Sequence, residues 1–133
     1  MPEVTLFSAN ELKQFTKLIL QAIGCPEADA KLAADVLVSA DLRGVDSHGV
    51  ARLSGYVRLY EKNRLNANPQ VKVTRETPST ATIDGDLGLG LVVGPKAMRI
   101  AIEKAKQVGT GWAAVGNSNH YGIAGYHAMM ALD

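Results

Sequence analysis

With 133 residues, 47% of them hydrophobic and 20% charged, the chain is long enough for one ordinary domain with its own core and too apolar for a disordered tail. Its 14 basic and 13 acidic residues leave a formal net charge of +1 and are mixed along the chain, with no basic block or aromatic-basic stripe, which argues against a nucleic-acid partner. The lone Cys25 excludes an internal disulfide, no apolar run reaches a membrane span, and Met1 to Thr5 lack the features of a secretion signal; the expectation is a soluble, cytoplasmic protein.

Ser8-Ala9-Asn10-Glu11 has the form of a capping box, and Leu12, Phe15, Leu18, Ile19 and Ala22 then recur at helical spacing until Gly24 stops the run. Pro26 suits the first turn of a second helix, with Glu27 and Asp29 near its positive end. Cys25, just before it, is expected to be a packing residue. Leu32, Val36, Leu37 and Ala40 supply the buried stripe of the second helix, and Gly44 ends it. A third helix is expected to start near His48 or Gly49 and to run through Leu53, Tyr56, Val57 and Tyr60 toward Asn63. Residues 64–69 form a hinge containing the turn Asn66-Ala67-Asn68-Pro69.

The pattern then changes period. Val71 to Arg75 alternates like a half-buried strand, and Thr80 to Asp84 predicts another, closed by Gly85-Asp86. Val92 to Val108 is helical, with Ala97, Ile100, Ala101 and Ala105 on its apolar face, and Gly109 ends it. Gly111 to Gly116 predicts a short buried strand, in which Trp112 is expected to be core. A polar loop, Asn117 to Gly122, follows, and Ile123 to Leu132 opens one more helix that reaches the end of the chain without a cap. No internal repeat or low-complexity tract appears. The fold class is α/β, with a helical region over residues 1–66 and the first part of an α/β domain over 67–133.

Two clusters carry chemistry. In Arg43-Gly44-Val45-Asp46-Ser47-His48-Gly49, followed by Arg52, a histidine that can exchange a proton near neutral pH lies between two arginines that can clamp a carboxylate. The same residues could also form a polar turn between two helices. Asn117-Ser118-Asn119-His120-Tyr121-Gly122 follows a strand and precedes a helix, where open α/β sheets bind ligands and four hydrogen-bonding side chains suit phosphate and ribose. Its plainer alternative is a capping loop in which Ser118 or Asn119 caps the last helix. Gly88-Leu89-Gly90 with Gly94 fails the dinucleotide spacing, because Val93 stands where the third glycine belongs. It is better explained as a permissive turn into a helix. His127 is expected to pack or lie at the surface without a partner. The histidine spacing offers no metal site. Asp46, Ser47 and His48 are adjacent in sequence and so are poorly placed to converge as a hydrolytic triad, and there is no G-x-S-x-G elbow.

Together, the run from Arg43 to Gly49 with Arg52 and Tyr56, and the run from Gly88 through Gly94-Pro95-Lys96-Ala97-Met98 to Asn117 through Gly122, resemble the opening portion of the type 2 malate/L-lactate dehydrogenase family. That family also includes ureidoglycolate and sulfolactate dehydrogenases, diketogulonate reductase and cyclic imino-acid reductases. The resemblance covers essentially all 133 residues. It implies a non-Rossmann NAD(P)-binding α/β domain and an oxidoreductase that moves a hydride between NAD or NADP and a small 2-hydroxy or 2-oxo acid. In that family His48 corresponds to the acid/base, oriented by Ser47, and some members give this role to the histidine matching His120. Arg52 corresponds to the carboxylate clamp, with Tyr56 and Arg43 beside the substrate. Ser118 and the loop His120, Tyr121, Gly122, Ile123 and Ala124 face the cofactor. A homodimer is implied.

Family members are more than twice as long, and the carboxylate that supports the catalytic pair lies beyond residue 133. The expectation is therefore a truncated enzyme or one piece of a cleaved or split one, with a second chain carrying the rest of the fold and an exposed strand edge where that part belongs. The alternatives are a reductase of a cyclic C=N bond on the same fold, and a non-catalytic helical dimerisation module.

Overall fold

The computed structural model describes residues 5–132; the reading of Met1 to Val4 lies outside the described residues. α1 spans Ala9–Ala22, and the capping box is formed: the Glu11 amide donates to Ser8 Oγ, and the Ser8 amide donates to the Glu11 carboxylate at 3.1 Å. The face it buries is rotated from the expected one. Thr16 and Leu20 are inside, while Phe15 and Leu18 are about half exposed. The helix packs mainly on one neighbour, so which narrow face it buries is set by that contact and not by the whole apolar stripe. α2, Glu27–Asp41, buries Val36, Leu37 and Ala40 as expected, leaves Leu32 only half-buried, and adds Ala30, Ala33, Ala34 and Val38. Cys25 is buried beside it, and burial together with the Asp29 carboxylate pushes its thiol up to about 11, as suits an inert packing residue.

The third helix begins later than its sequence implies. Two single turns of 3₁₀-helix, Asp46–His48 and Val50–Arg52, precede α3, Leu53–Glu61. The polar run breaks the register, because Asp41 Oδ2 accepts the Val50 amide at 2.9 Å and pins this segment to the end of α2.

β1 (Lys72–Glu76) and β2 (Thr80–Gly88) pair antiparallel, and β2 pairs with β3 (Trp112–Ser118) in parallel, giving the order β1-β2-β3. α4, Gly90–Val108, makes the crossover, and Gly109 at φ 87° ends it. β2 does not close at Gly85-Asp86. Asp86 and Leu87 take positive φ (50° and 54°) in a bulge, and the Asp86 amide donates to Asp84 Oδ1. The strand then resumes, and Gly88 pairs with Ser118.

β3 is also longer than expected, running on through Asn117 and Ser118, and it is not buried: Trp112 is 69% exposed. β3 is an edge of the sheet, and its outer face is open among the described residues, so an apolar composition alone did not make it core. α5, Ala124–Met129, ends before Leu132, with Met130 at its C-cap.

The larger core joins Leu20, Leu37, Tyr56 and Leu65 to Leu89, Leu91 and Val92, so the helical segment and the first turn of α4 share one interior. A smaller cluster of Ala81, Ile83 and Ala97 lies between the sheet and α4. No helix among the described residues is long and apolar enough to cross a membrane.

Candidate active site

The two motifs meet. Tyr56, on the first turn of α3 and only 3% exposed, places its hydroxyl 2.8 Å from His120 Nδ1, across 64 residues of sequence. The His48 and His120 rings lie 5.4 Å apart, centre to centre. Ser47 Oγ is 3.0 Å from His48 Nδ1, and Arg52 Nε donates to the Ser47 carbonyl at 2.6 Å. One hydrogen bond from Nε leaves the remaining N–H groups of this exposed guanidinium for a ligand. Five of the sequence-predicted residues thus form one cluster of proton-exchanging groups beside a cation. Arg43 lies exposed in the turn after α2, and its side chain makes no hydrogen bond or ion pair among the described residues.

Electrostatics follow the packing. Burial pushes the Tyr56 phenol up to about 12, against the opposing pull of Arg52. Partial burial, then the Arg52 charge and His48, hold the His120 imidazole below its ordinary value.

Asn119 delivers His120 to this place. Its side-chain amide donates to the carbonyls of Leu87 at 2.7 Å and Gly88 at 3.3 Å, and its backbone amide donates to Gly88 as well. A Cβ on Gly90 would fall on the Asn119–His120 backbone, so this glycine serves close packing, where the sequence suggested only a permissive turn. Ser118 Oγ donates to the Gly88 carbonyl at 3.4 Å, and Asn117 donates to Asp84. Neither Ser118 nor Asn119 caps α5; Ile123 stands at its N-cap with no side-chain bond. The sequence singled out this polar run, but not that Asn119 and Asp41 hold it and the Ser-His segment in place. Their only sequence signal is position: one polar residue just after a strand, the other at the end of a helix.

Beyond His120, Tyr121 is half exposed and stacks on the His120 ring, with centres 6.2 Å apart. Its other neighbour is His127, in an edge contact at 5.3 Å. His127 does have a partner: its Nε2 donates to the Tyr121 carbonyl at 2.9 Å, while its Nδ1 is buried without one. It faces an apolar cavity of about 410 Å³ bounded by Gly94, Ala97, Met98 and Trp112. Among the described residues, no group of three metal-ligating side chains gathers.

The sequence profile of malate/L-lactate dehydrogenase matches residues 7–133. The chain belongs to that family. It is 54% identical over 124 residues to a malate dehydrogenase of Pyrococcus abyssi, covering 93% of this chain and 34% of that protein. An L-sulfolactate dehydrogenase of Methanocaldococcus jannaschii is 51% identical over 115 residues, covering 86% and 33%. The solved structure of the sulfolactate dehydrogenase from that organism superposes with a TM-score of 0.93 at 47% identity, over 95% of this chain and 37% of that one. The chain therefore spans about a third of the length of the family members it matches.

Proposed function

We propose that this chain supplies the proton-handling and carboxylate-binding part of an NAD(P)-dependent oxidoreductase that interconverts a small 2-hydroxy acid and its 2-oxo acid. The observation that carries this reading is the convergence of Ser47, His48, Arg52, Tyr56 and His120 from two distant motifs. Reduction of a 2-oxo acid needs a hydride, a proton for the carbonyl oxygen and a cation for the carboxylate. Arg52 is the cation, binding the carboxylate through its free N–H groups. His48, oriented by Ser47, exchanges the proton with the substrate oxygen in both directions. Tyr56 and His120 border the same space, and Arg43 extends the positive field at its rim.

The residues beside the histidines fit the nicotinamide end of NAD or NADP. Tyr121, stacked on His120 and followed by Gly122, Ile123 and Ala124, makes a flat and largely apolar surface on which a ring can rest. The bound cofactor supplies or takes up the hydride, and the chain supplies binding and orientation.

The test is NADH and NADPH oxidation by the whole protein with 2-oxo acids, in wild type and with His48→Ala and His120→Ala combined. We expect turnover to be lost in the double variant and KM for the 2-oxo acid to rise in Arg52→Ala. Unchanged turnover in the double variant would overturn the assignment, and turnover confined to cyclic imines would move the chemistry from C=O to C=N.

A further inference from the structure

The two histidines are held by partners of different kinds, and that difference divides their work. We propose that His120 is fixed as a neutral imidazole with its proton on Nε2, acting as a hydrogen-bond donor, and that Tyr56 and the Gly122 amide position it in that state and leave proton transfer to His48. This rests on the reading of the cluster as an oxidoreductase centre.

The Gly122 amide donates to His120 Nδ1 at 3.3 Å, and a backbone N–H has no other role available to it. His120 Nδ1 is therefore a lone pair, and the proton of the neutral ring sits on Nε2. The proton between Tyr56 and His120 then belongs to the phenol, which donates at 2.8 Å. A phenol pushed up to about 12 by burial keeps that proton through the neutral range. Converting His120 to the cation would place an N–H against the Gly122 N–H and displace the Tyr56 donor.

Among the described residues, no charge facing the ring favours that conversion. The titratable groups recorded around it among the described residues are His48 and Arg52 from the two 3₁₀ turns, Tyr56 from α3 and Tyr121 from its own loop, and none of these is a carboxylate. Arg52 and His48 both act against a positive imidazole. Gly122 is itself fixed: it has φ +80°, and a Cβ there would lie 2.8 Å from Leu91 and 3.0 Å from Val36, so the amide that sets the tautomer is tied to the core.

His48 is under no such constraint. Its Nδ1 faces the Ser47 hydroxyl, which donates or accepts by rotating its O–H, so neutral and cationic states are both accommodated. A neutral imidazole can polarise a substrate oxygen through Nε2–H without giving the proton away. Proton transfer then falls to the histidine that no backbone amide holds to one tautomer.

Two-bond proton–nitrogen correlation spectra of the histidine side chains, recorded on the 133-residue chain from about pH 5 to 8, read the tautomer directly. His48→Gln, His120→Gln and His127→Gln assign the signals. We expect His120 to show a protonated Nε2 and a bare Nδ1, and to titrate below the ordinary imidazole value. Tyr56→Phe, which keeps the buried ring, should raise the His120 midpoint, while the Gly122 amide keeps the proton of the neutral ring on Nε2. A wild-type His120 protonated on Nδ1, or cationic at neutral pH, overturns the inference, as does a Tyr56→Phe spectrum identical to wild type. None of these readouts uses turnover. A neutral Nε2–H tautomer in a protein whose double-histidine variant still turns over would retain the tautomer assignment and remove the oxidoreductase reading.

Discussion

The interior beneath the Ser-His cluster and the outer face of β3 are both rich in apolar residues, and they differ in what those residues do. Under the cluster, Leu20, Leu37, Leu89 and Leu91 are fully buried, and Tyr56 is anchored among them. On the sheet, all of β1 is exposed, and β3 shows Trp112 and Val115 to the surface. The candidate site is thus founded on the well-packed part of the molecule, which fixes its side chains relative to one another. The sheet contributes position, by ending where its loop can be latched, rather than depth.

The contrast is sharpest in stability. Leu37→Ala should cost about 2–5 kcal/mol, while Val115→Ser on the open face should stay within about 0.5 kcal/mol, both read from denaturant midpoints. Equal losses would erase the distinction between the two regions.

A smaller effect is expected where the core meets the site. Gly122→Ala puts a Cβ into Leu91 and strains a positive φ, and should cost about 1–3 kcal/mol. It should also broaden or shift the His120 side-chain signals. A variant as stable as wild type with an unmoved His120 would show that the loop does not depend on the core beneath it.

The smallest signal is a titration. A phenol raised from about 10 to about 12 binds its proton more tightly in the folded state than in the unfolded one. The stability this contributes is complete below the unfolded value and is lost as pH rises through about 10 to 12. Ultraviolet titration of the four tyrosines should show one that ionises near the top of that window and disappears in Tyr56→Phe. If Tyr56 ionises with the exposed phenols, it is not buried as described.

Much of this was legible in the chain. The capping box at Ser8 and Glu11, the stop at Gly109 and the order of elements follow from local chemistry, which acts within a turn or two of sequence. The candidate residues were legible as two motifs, and the structure brings His48, Arg52 and Tyr56 together with His120. What stayed hidden depends on contacts between distant parts. The bulge at Asp86 and Leu87 is formed by Asp84 turning back on the strand and is fixed from outside by Asn66 and Gln70. The 3₁₀ turns before α3 depend on Asp41, nine residues away. The exposure of Trp112 depends on what neighbours β3, and composition within one strand carries no such information.

Whether these residues form one site for a small 2-oxo acid is read most directly by titrating the 133-residue chain with oxamate, an unreactive 2-oxo acid analogue, while following histidine and arginine side-chain signals. Saturable shifts are expected at His48, His120 and Arg52 with one common dissociation constant, abolished in Arg52→Ala. Shifts confined to other basic residues, or none at these three when oxamate is in large excess, would contradict a shared site.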